Sequence, residues 1–226
     1  MKIAAIILAA GPSKRLGFPK QLVKLDGVSM VRKVALSLCE AGIDNIGVVT
    51  GAWHSQLEKE LAGLNVEVVQ NENWRSGFSS SVACGATWAE SLSDITHTMF
   101  IATDQWMVSK SDIEAIVEEF EKDSCDIVGA SFAGSWGMPL MVGNTGILSS
   151  LTRLSPDARF IPFLESVSDE IVSIPMEHAS KDLDTPAQLM ELSESFDVTV
   201  MRPGACLLYT SPSPRDLSTS RMPSSA

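Results

Sequence analysis

Along the chain, apolar and polar positions change their spacing in a regular way. Residues 3–8 read Ile-Ala-Ala-Ile-Ile-Leu, an unbroken aliphatic run of the kind a strand shows when both faces of its sheet are covered. From Met30 the period lengthens. Met30, Val31, Val34 and Leu38 recur at helical spacing, and Gly42 closes that helix. Asn45–Thr50 then reads as a strand, 55–61 as a short helix and 66–69 as a third strand. Residues 79–90 predict a helix with Val82, Ala83 and Ala86 inward, and His97–Ala102 the next strand. Ile113, Ile116, Val117 and Phe120 form another helical stripe, with Ser111 and Asp112 as cap candidates. Residues 126–131 and 140–142 read as strands, Ile147, Leu148, Leu151 and Leu154 as a helix, and 170–175 as a last strand. Pro186 opens a final helix at its first turn, where proline is tolerated. The alternation predicts an α/β chain built on an open, mostly parallel sheet covered on both faces. Ligands of such sheets lie at the carboxyl ends of the strands. No internal repeat is evident, and no linker precedes about Asp197.

The chemistry begins where the first apolar run ends. Leu8-Ala-Ala-Gly-Pro-Ser-Lys-Arg-Leu-Gly-Phe-Pro-Lys20 shrinks to Ala9, Ala10 and Gly11, turns, and then brings in Lys14, Arg15 and Lys20. Small residues let backbone N–H groups approach an anion, and the cations neutralise it, so the stretch asks for a polyphosphate. It is not a Walker loop, because Gly17-Phe18-Pro19-Lys20 does not end in Gly-Lys-Ser/Thr. Nor is it a dinucleotide fingerprint, since the second strand ends in Thr50-Gly51 rather than an acid.

Three later stretches carry candidate groups. Asn71 ends a strand, Gly77 permits a tight turn, and Ser79, Ser80 and Ser81 place hydroxyls and unpaired N–H groups at a helix start, a second anion or ribose site or simply caps. Thr103-Asp104-Gln105 ends the His97–Ala102 strand with a carboxylate where Mg²⁺ bridging phosphates needs an oxygen ligand, although a turn aspartate reads the same way. In Lys181-Asp-Leu-Asp-Thr-Pro186 the acids Asp182 and Asp184 share one face of an extended segment, which also suits helix capping.

The loop matches L-A-A-G-x-S-x-R-x-G-x-x-K, and in this it resembles nucleotidyltransferases of the molybdenum-cofactor-guanylyltransferase-like (MobA-like NTP transferase) family. Leu8, Ala9, Ala10, Gly11, Ser13, Arg15, Gly17 and Lys20 meet every fixed position. The resemblance covers about Lys2 to Leu192 and implies a three-layer Rossmann-like nucleotidyltransferase fold. Asn71 to Ser80 resembles the family's N-x-x-W-x-x-G-x-S-S nucleotide segment, with Asn71, Gly77, Ser79 and Ser80 as nucleotide contacts beside Leu8, Ala9, Ala10, Gly11 and Ser13. Thr103-Asp104-Gln105-Trp106 resembles Gly-Asp-Gln-Pro, with Thr103 for Gly and Trp106 for Pro. Lys181 to Pro186 resembles D-x-D-T-P. By this likeness Asp104 and Asp184 hold Mg²⁺, with Asp182 an outer neighbour or replacement, and Arg15, Lys20 and Asp104 are the catalytic residues. Gly137-Met138-Pro139 resembles the Gly-His-Pro of the cytidylyltransferase branch with Met138 in place of histidine. Gln105, Met138 and Pro139 are thereby expected at the acceptor, in a pocket around Trp106, Trp136 and Met138.

Ala10, where guanylyltransferases usually carry glycine, and the Asp-Gln pair place the likeness closest to molybdenum cofactor cytidylyltransferases. The implied reaction transfers CMP from CTP to a molybdopterin-type cofactor and releases pyrophosphate, with a molybdenum hydroxylase as expected client. A sugar- or alditol-phosphate nucleotidyltransferase uses the same loop and metal pair. A non-catalytic nucleotide- or cofactor-binding module is a further reading, and an oxidoreductase on this fold lacks a nicotinamide or flavin fingerprint.

Composition narrows the partners. Of 226 residues 45% are hydrophobic, enough for one sizeable core, and the net charge of −11 gives no basic field for nucleic acid or an anionic membrane. No apolar run approaches the ~20 residues of a membrane span. Cys39, Cys84 and Cys125 have neither metal nor disulfide spacing and read as core residues in a reducing cytoplasm. His54, His97 and His178 read as structural or surface residues. From Cys206 the sequence Cys-Leu-Leu-Tyr-Thr-Ser-Pro-Ser-Pro-Arg-Asp resembles a translated sequencing-library adapter, although its composition also fits a Ser/Pro-rich tail. The expected organisation is a nucleotidyltransferase domain over 1–196, a native tail or start of a truncated segment over 197–205, and an adapter-derived artefact over 206–226, with the natural gene continuing past about Ala205.

Overall fold

The computed structural model describes residues 1–122, 125–144, 146–201 and 208–211. In chain order the elements are β1 (Ile3–Leu8), β2 (Lys24–Leu25), β3 (Val28–Ser29), α1 (Met30–Glu40), β4 (Asn45–Thr50), α2 (His54–Leu61) and β5 (Glu67–Gln70). There follow α3 (Phe78–Ser91), β6 (His97–Ala102), α4 (Lys110–Lys122), β7 (Ile127–Phe132), β8 (Ser135–Gly143), α5 (Ile147–Leu151) and α6 (Phe160–Val167). The chain continues with β9 (Ile171–Pro175), α7 (Pro186–Ser193), β10 (Val198–Met201) and β11 (Leu208–Ser211).

Seven strands form the main sheet in the order β5-β4-β1-β6-β8-β7-β9. All neighbours are parallel except β8, which runs antiparallel to both β6 and β7. The expected open, mostly parallel sheet is therefore present, as a three-layer Rossmann-like fold. After β1 the chain moves outward to β4 and β5, then crosses back through α3 to β6 on the other side of β1. That reversal makes the carboxyl end of β1 the topological switch point, where open α/β sheets bind ligands.

The pleat of β1 divides the core in two. Ala5, Ile7 and Ala9 face one layer, packed with Val31, Val34 and Leu38 of α1, Leu57 of α2 and Ile113 and Ile116 of α4. Ala4, Ile6, Leu8 and Ala10 face the other, with Val82, Ala86 and Ala89 of α3, Leu148 and Leu151 of α5 and Phe160 and Leu164 of α6. Gly85 of α3 lets that helix lie close on the sheet, because a Cβ there would meet Ile6 Cγ2 at 2.5 Å.

Several details depart from the pattern reading. The cap of α4 is Ser109, not Ser111: Asp112 Oδ2 accepts from Ser109 N at 2.8 Å while Asp112 N donates back to Ser109 Oγ at 3.4 Å. Helix α6 and the antiparallel direction of β8 were not expected. A second sheet, β11-β10-β2-β3, packs a third core of Leu16, Phe18, Leu25, Met30, Trp106, Leu183, Val198 and Val200. Asp26 and Gly27 have φ of 53° and 82°, the paired positive values of a tight two-residue hairpin turn joining β2 to β3. Val198 pairs with Leu25 and Thr199 with Lys24, so ordered structure runs past residue 196. The backbone of Leu208–Ser211, inside the adapter-like stretch, pairs antiparallel with β10. An uncovered strand edge accepts any extended segment through main-chain bonds alone. Residues 202–207 and 212–226 lie outside the described residues, as does the rest of that stretch.

Candidate active site

A cavity of about 680 Å³ opens at the carboxyl ends of β1 and β6, beside the switch point. Leu8 at the end of β1 and Ala10, Gly11 and Lys14 of the loop after it line it on one side, and Thr103 and Asp104 after β6 on another. Trp74, Arg75, Gly77, Phe78 and Ser81 close it from the start of α3.

The loop is held by a buried glutamine. Gln21 is 2% exposed, and its Nε2 donates to Ala9 O at 3.0 Å and to Gly11 O at 2.7 Å. Ser13 takes a left-handed φ of 53°, and its hydroxyl accepts from Lys20 N at 3.1 Å, folding the loop back on itself. Ala9 N donates to Val49 O at 2.8 Å and Ala52 N to Ala10 O at 3.1 Å, which lock the loop to the end of β4. Gly51 is required there, because a Cβ would lie 2.6 Å from Trp74 Cβ and 2.8 Å from Ala10 O. Of the predicted loop residues, Leu8, Ala10 and Gly11 reach the cavity wall, whereas Ala9 and Ser13 shape the loop from behind.

Four charged side chains meet at the cavity edge. Lys20 Nζ lies 2.5 Å from Asp104 Oδ2 and 2.8 Å from Asp184 Oδ1, and Arg15 Nη2 pairs with Asp184 Oδ2. Loops distant in sequence thus converge on one ammonium. Burial alone would lower the Lys20 pKa, but the charges and hydrogen bonds of Asp104 and Asp184 outweigh it and hold the ammonium above its usual range. Burial works against the Asp184 carboxylate, yet Lys20 and Arg15 pull its pKa below the ordinary value. Two hard carboxylates converging on one cation match the donor set of a Mg²⁺-class ion whose remaining ligands are phosphates and water. Among the described residues no group of three or more His, Cys, Asp or Glu forms a cage of its own. Asp182 lies outside the quartet, its carboxylate accepting from Gln188 Nε2 at 2.9 Å. The α7 start that follows is fixed by a Thr185–Gln188 capping box.

The serine segment divides differently from its motif reading. Asn71 is 4% exposed, and its amide donates to Ser80 Oγ at 3.0 Å and Ser81 Oγ at 3.1 Å while Oδ1 accepts from Asn73 N at 2.9 Å. Ser79 Oγ donates to Ala158 O at 2.5 Å and Ser80 Oγ to Gly77 O at 2.7 Å. Asn71 and Ser80 therefore build the turn, Ser79 ties the start of α3 to Ala158, and Gly77, with φ of 118°, and Ser81 form the wall. Arg75 lies over the Trp74 ring at 4.3 Å. Phe78 is 49% exposed at the rim, tilted on Phe160 at 6.3 Å. Trp74 entered the sequence reading only as a fixed position of the nucleotide-segment motif, and Phe78 and Gln21 escaped it. An aromatic next to the turn glycine and a glutamine just after the loop lysine were the available signals.

The expected acceptor residues sit elsewhere. Gln105 is 7% exposed; its Oε1 accepts from Ala102 N at 3.1 Å, and its Nε2 donates to Met138 O and, at 3.3 Å, to Ala179 O. Pro139 is buried in β8 and Met138 packs against the α3-side core. Trp106 belongs to the third core, edge-on to Phe196 at 5.2 Å, and Trp136 donates from Nε1 to Glu165 Oε1 at 2.9 Å. The pocket expected around Trp106, Trp136 and Met138 is therefore not part of this cavity wall. His178 Nε2 stands 2.9 Å from Asp112 Oδ2, His54 Nδ1 2.9 Å from Thr50 Oγ1, and His97 edge-on to Phe120 at 4.7 Å.

Comparison with known proteins gives a family and a fold. A family model described as the MobA-like NTP transferase domain matches residues 5–171. Bifunctional protein GlmU of Streptococcus equi subsp. zooepidemicus is 30% identical over 149 residues, 64% of this chain and 31% of that protein. Nicotine blue oxidoreductase of Paenarthrobacter nicotinovorans is 31% identical over 107 residues, 46% of this chain and 50% of that protein. The chain thus spans half or less of these curated relatives. Rv0371c of Mycobacterium tuberculosis H37Rv shares the fold with a TM-score of 0.72 at 23% identity, covering 86% of this chain and 100% of that one. Molybdopterin-guanine dinucleotide biosynthesis protein A of Archaeoglobus fulgidus does so with a TM-score of 0.62 at 19% identity, covering 84% and 96%. Nucleotidyltransferases of this family use a divalent metal, and one of the similar structures is a manganese complex of Rv0371c. Among the described residues no helix is long and apolar enough to cross a membrane. The chain belongs to the MobA-like NTP transferase family.

Proposed function

We propose that the chain transfers CMP from CTP to the terminal phosphate of a molybdopterin-type cofactor, with release of pyrophosphate. The observation that carries the reading is the convergence of Lys20, Asp104 and Asp184 at the edge of a cavity floored by the loop after β1. About 680 Å³ lies within the usual range for nucleotide-sized ligands. Ala10 and the Asp104-Gln105 pair favour CTP through their likeness to the cytidylyltransferase branch.

In this reading the backbone from Ala10 to Ser13, with Lys14 and Arg15, binds the β- and γ-phosphates, and Lys20 neutralises charge growing at the α-phosphate. Asp104 and Asp184 would hold Mg²⁺, which when bound supplies electrostatic stabilisation of the phosphates. The acceptor's phosphate oxygen forms the new bond to the α-phosphorus as the bond to the departing pyrophosphate oxygen breaks. The acceptor is already an anion, so no side chain acts as base. Placement and preorganised charge do the work. Gly77 and Ser81 border the nucleotide, and Trp74 and Phe78 offer flat apolar surface to a base or pterin ring. A molybdenum hydroxylase is the corresponding client.

A sugar- or alditol-phosphate acceptor is the second reading, favoured by the withdrawal of Met138 and Trp106 from the cavity wall. The deciding experiment follows pyrophosphate release by the full chain with Mg²⁺ and each of the four NTPs, with and without molybdopterin cofactor. Release confined to CTP and dependent on that cofactor is expected. CTP binding without release redirects the search to sugar and alditol phosphates, and failure to bind any NTP overturns the reading.

A further inference from the structure

The quartet Arg15–Asp184–Lys20–Asp104 is closed on itself. Two carboxylates and two cations cancel, and the Lys20 side chain, 18% exposed, stands at the point on which both aspartates converge. A divalent cation arriving alone meets no net negative charge there. To bind, it must break two charge-assisted hydrogen bonds and leave a mostly buried ammonium beside a dication, with no new acceptor. A triphosphate changes both terms, because its oxygens accept from Lys20 and Arg15 and its charge offsets the cation. Lys14 lines the same cavity and is outside the quartet, so the phosphates have a landing point before any ion pair opens.

We propose that Lys20 is the resident counter-ion of the divalent-cation site, so that cation and nucleoside triphosphate bind as a coupled pair and the chain alone holds the cation only weakly. This rests on the reading of Asp104 and Asp184 as cation ligands. Coupling of this kind is reciprocal: whatever the triphosphate adds to cation affinity, the cation adds to triphosphate affinity. Its size is set by how much better the cation binds the arrangement in which Lys20 has left the aspartates.

The test is a titration of the full chain with Mn²⁺, followed by the electron paramagnetic resonance signal of unbound Mn²⁺, with and without an α,β-methylene CTP analogue. Wild type is expected to bind Mn²⁺ about tenfold or more tightly with the analogue present, within the usual range of coupling factors. Lys20→Met is expected to bind Mn²⁺ alone about tenfold more tightly than wild type and to lose most of the coupling. Lys20→Gln, which keeps donors but no charge, checks the result in a second background. Should neither variant exceed wild type while Asp104→Asn weakens Mn²⁺ binding, the counter-ion role is overturned and the ligand reading stands. Should the gain in Lys20→Met survive in the Lys20→Met/Asp104→Asn double variant, the ion is not on Asp104 and the ligand reading itself fails.

Discussion

Gln105 donates from its side-chain amide to the carbonyl of Ala179 at 3.3 Å, which fastens the loop carrying Asp104 to the turn leading to Asp184. The same nitrogen donates to Met138 O, and Oε1 accepts from Ala102 N. One buried amide thus ties β6, β8 and the Glu177–Ser180 turn together, and with them the separation of the two carboxylates.

Replacing Gln105 with glutamate keeps the shape and removes both donors. Two carbonyls then lose a buried partner, at about 1–3 kcal/mol each. The expected outcome is a fall in urea midpoint together with at least a tenfold loss of kcat/KM. A variant with wild-type midpoint and rate would show that this tie is idle.

Asp104→Asn and Asp184→Asn remove charge without removing volume. Each is expected to lower turnover by about 10²–10³, as for loss of one preorganised electrostatic contact. Nucleotide affinity measured without metal should change far less, because Lys14 and the loop backbone remain. Steady-state kinetics beside metal-free nucleotide titration separates the two effects.

Much of the framework is legible from spacing alone. The bounds of β4 and β6 follow directly from apolar runs that end in Thr50-Gly51 and Ala102-Thr103. The direction of β8 is not legible, since an apolar strand reads the same paired either way. Helix α6 was hidden by Pro162, which its first turn tolerates but which reads as a breaker. The β2–β3 hairpin was a missed signal, because Asp-Gly between Leu25 and Val28 is a recognised hairpin turn. Trp106 could not be placed from its motif. Its neighbours Phe196 and Val198 come from the far end of the chain. Motif position also does not say which polar side chain turns inward: Asn71, Ser79 and Gln105 are engaged by other protein groups, whereas Ser81, two residues after Ser79, reaches the cavity.

Asp112 offers a pH-dependent test away from the cavity. Burial acts to raise its pKa, but the Ser109 backbone and side-chain bonds and His178 outweigh it and depress the carboxyl below 3.8. A depressed carboxyl adds stability that is fully present above its unfolded pKa and is lost as pH falls through the folded one. Asp112→Ala is therefore expected to cost about 1 kcal/mol at neutral pH, the usual scale for a lost helix cap. Denaturant melts of the two proteins should converge only below about pH 4. A difference unchanged at pH 3 would mean that packing, not the charged cap, supports α4.

The last prediction concerns Gly51, where the loop, β4 and Trp74 touch. A methyl group there would lie 2.6 Å from Trp74 Cβ and 2.8 Å from Ala10 O, inside contact distance of both. Backbone cannot yield as a flexible side chain does, so Gly51→Ala must push either the Trp74 turn or the Ala10 carbonyl. Overpacking of this kind costs about 1–3 kcal/mol. Moving Ala10 also strains its bond to Ala52 N, and moving Trp74 shifts the wall that carries Gly77 and Phe78. Both routes deform the cavity, so nucleotide affinity is expected to fall by about tenfold or more while Asp104, Asp184 and Lys20 stay paired. Calorimetric titration with nucleoside triphosphate measures the first. A parallel Mn²⁺ titration reads the second, and an unchanged nucleotide affinity would place the triphosphate away from the Ala10–Trp74 wall.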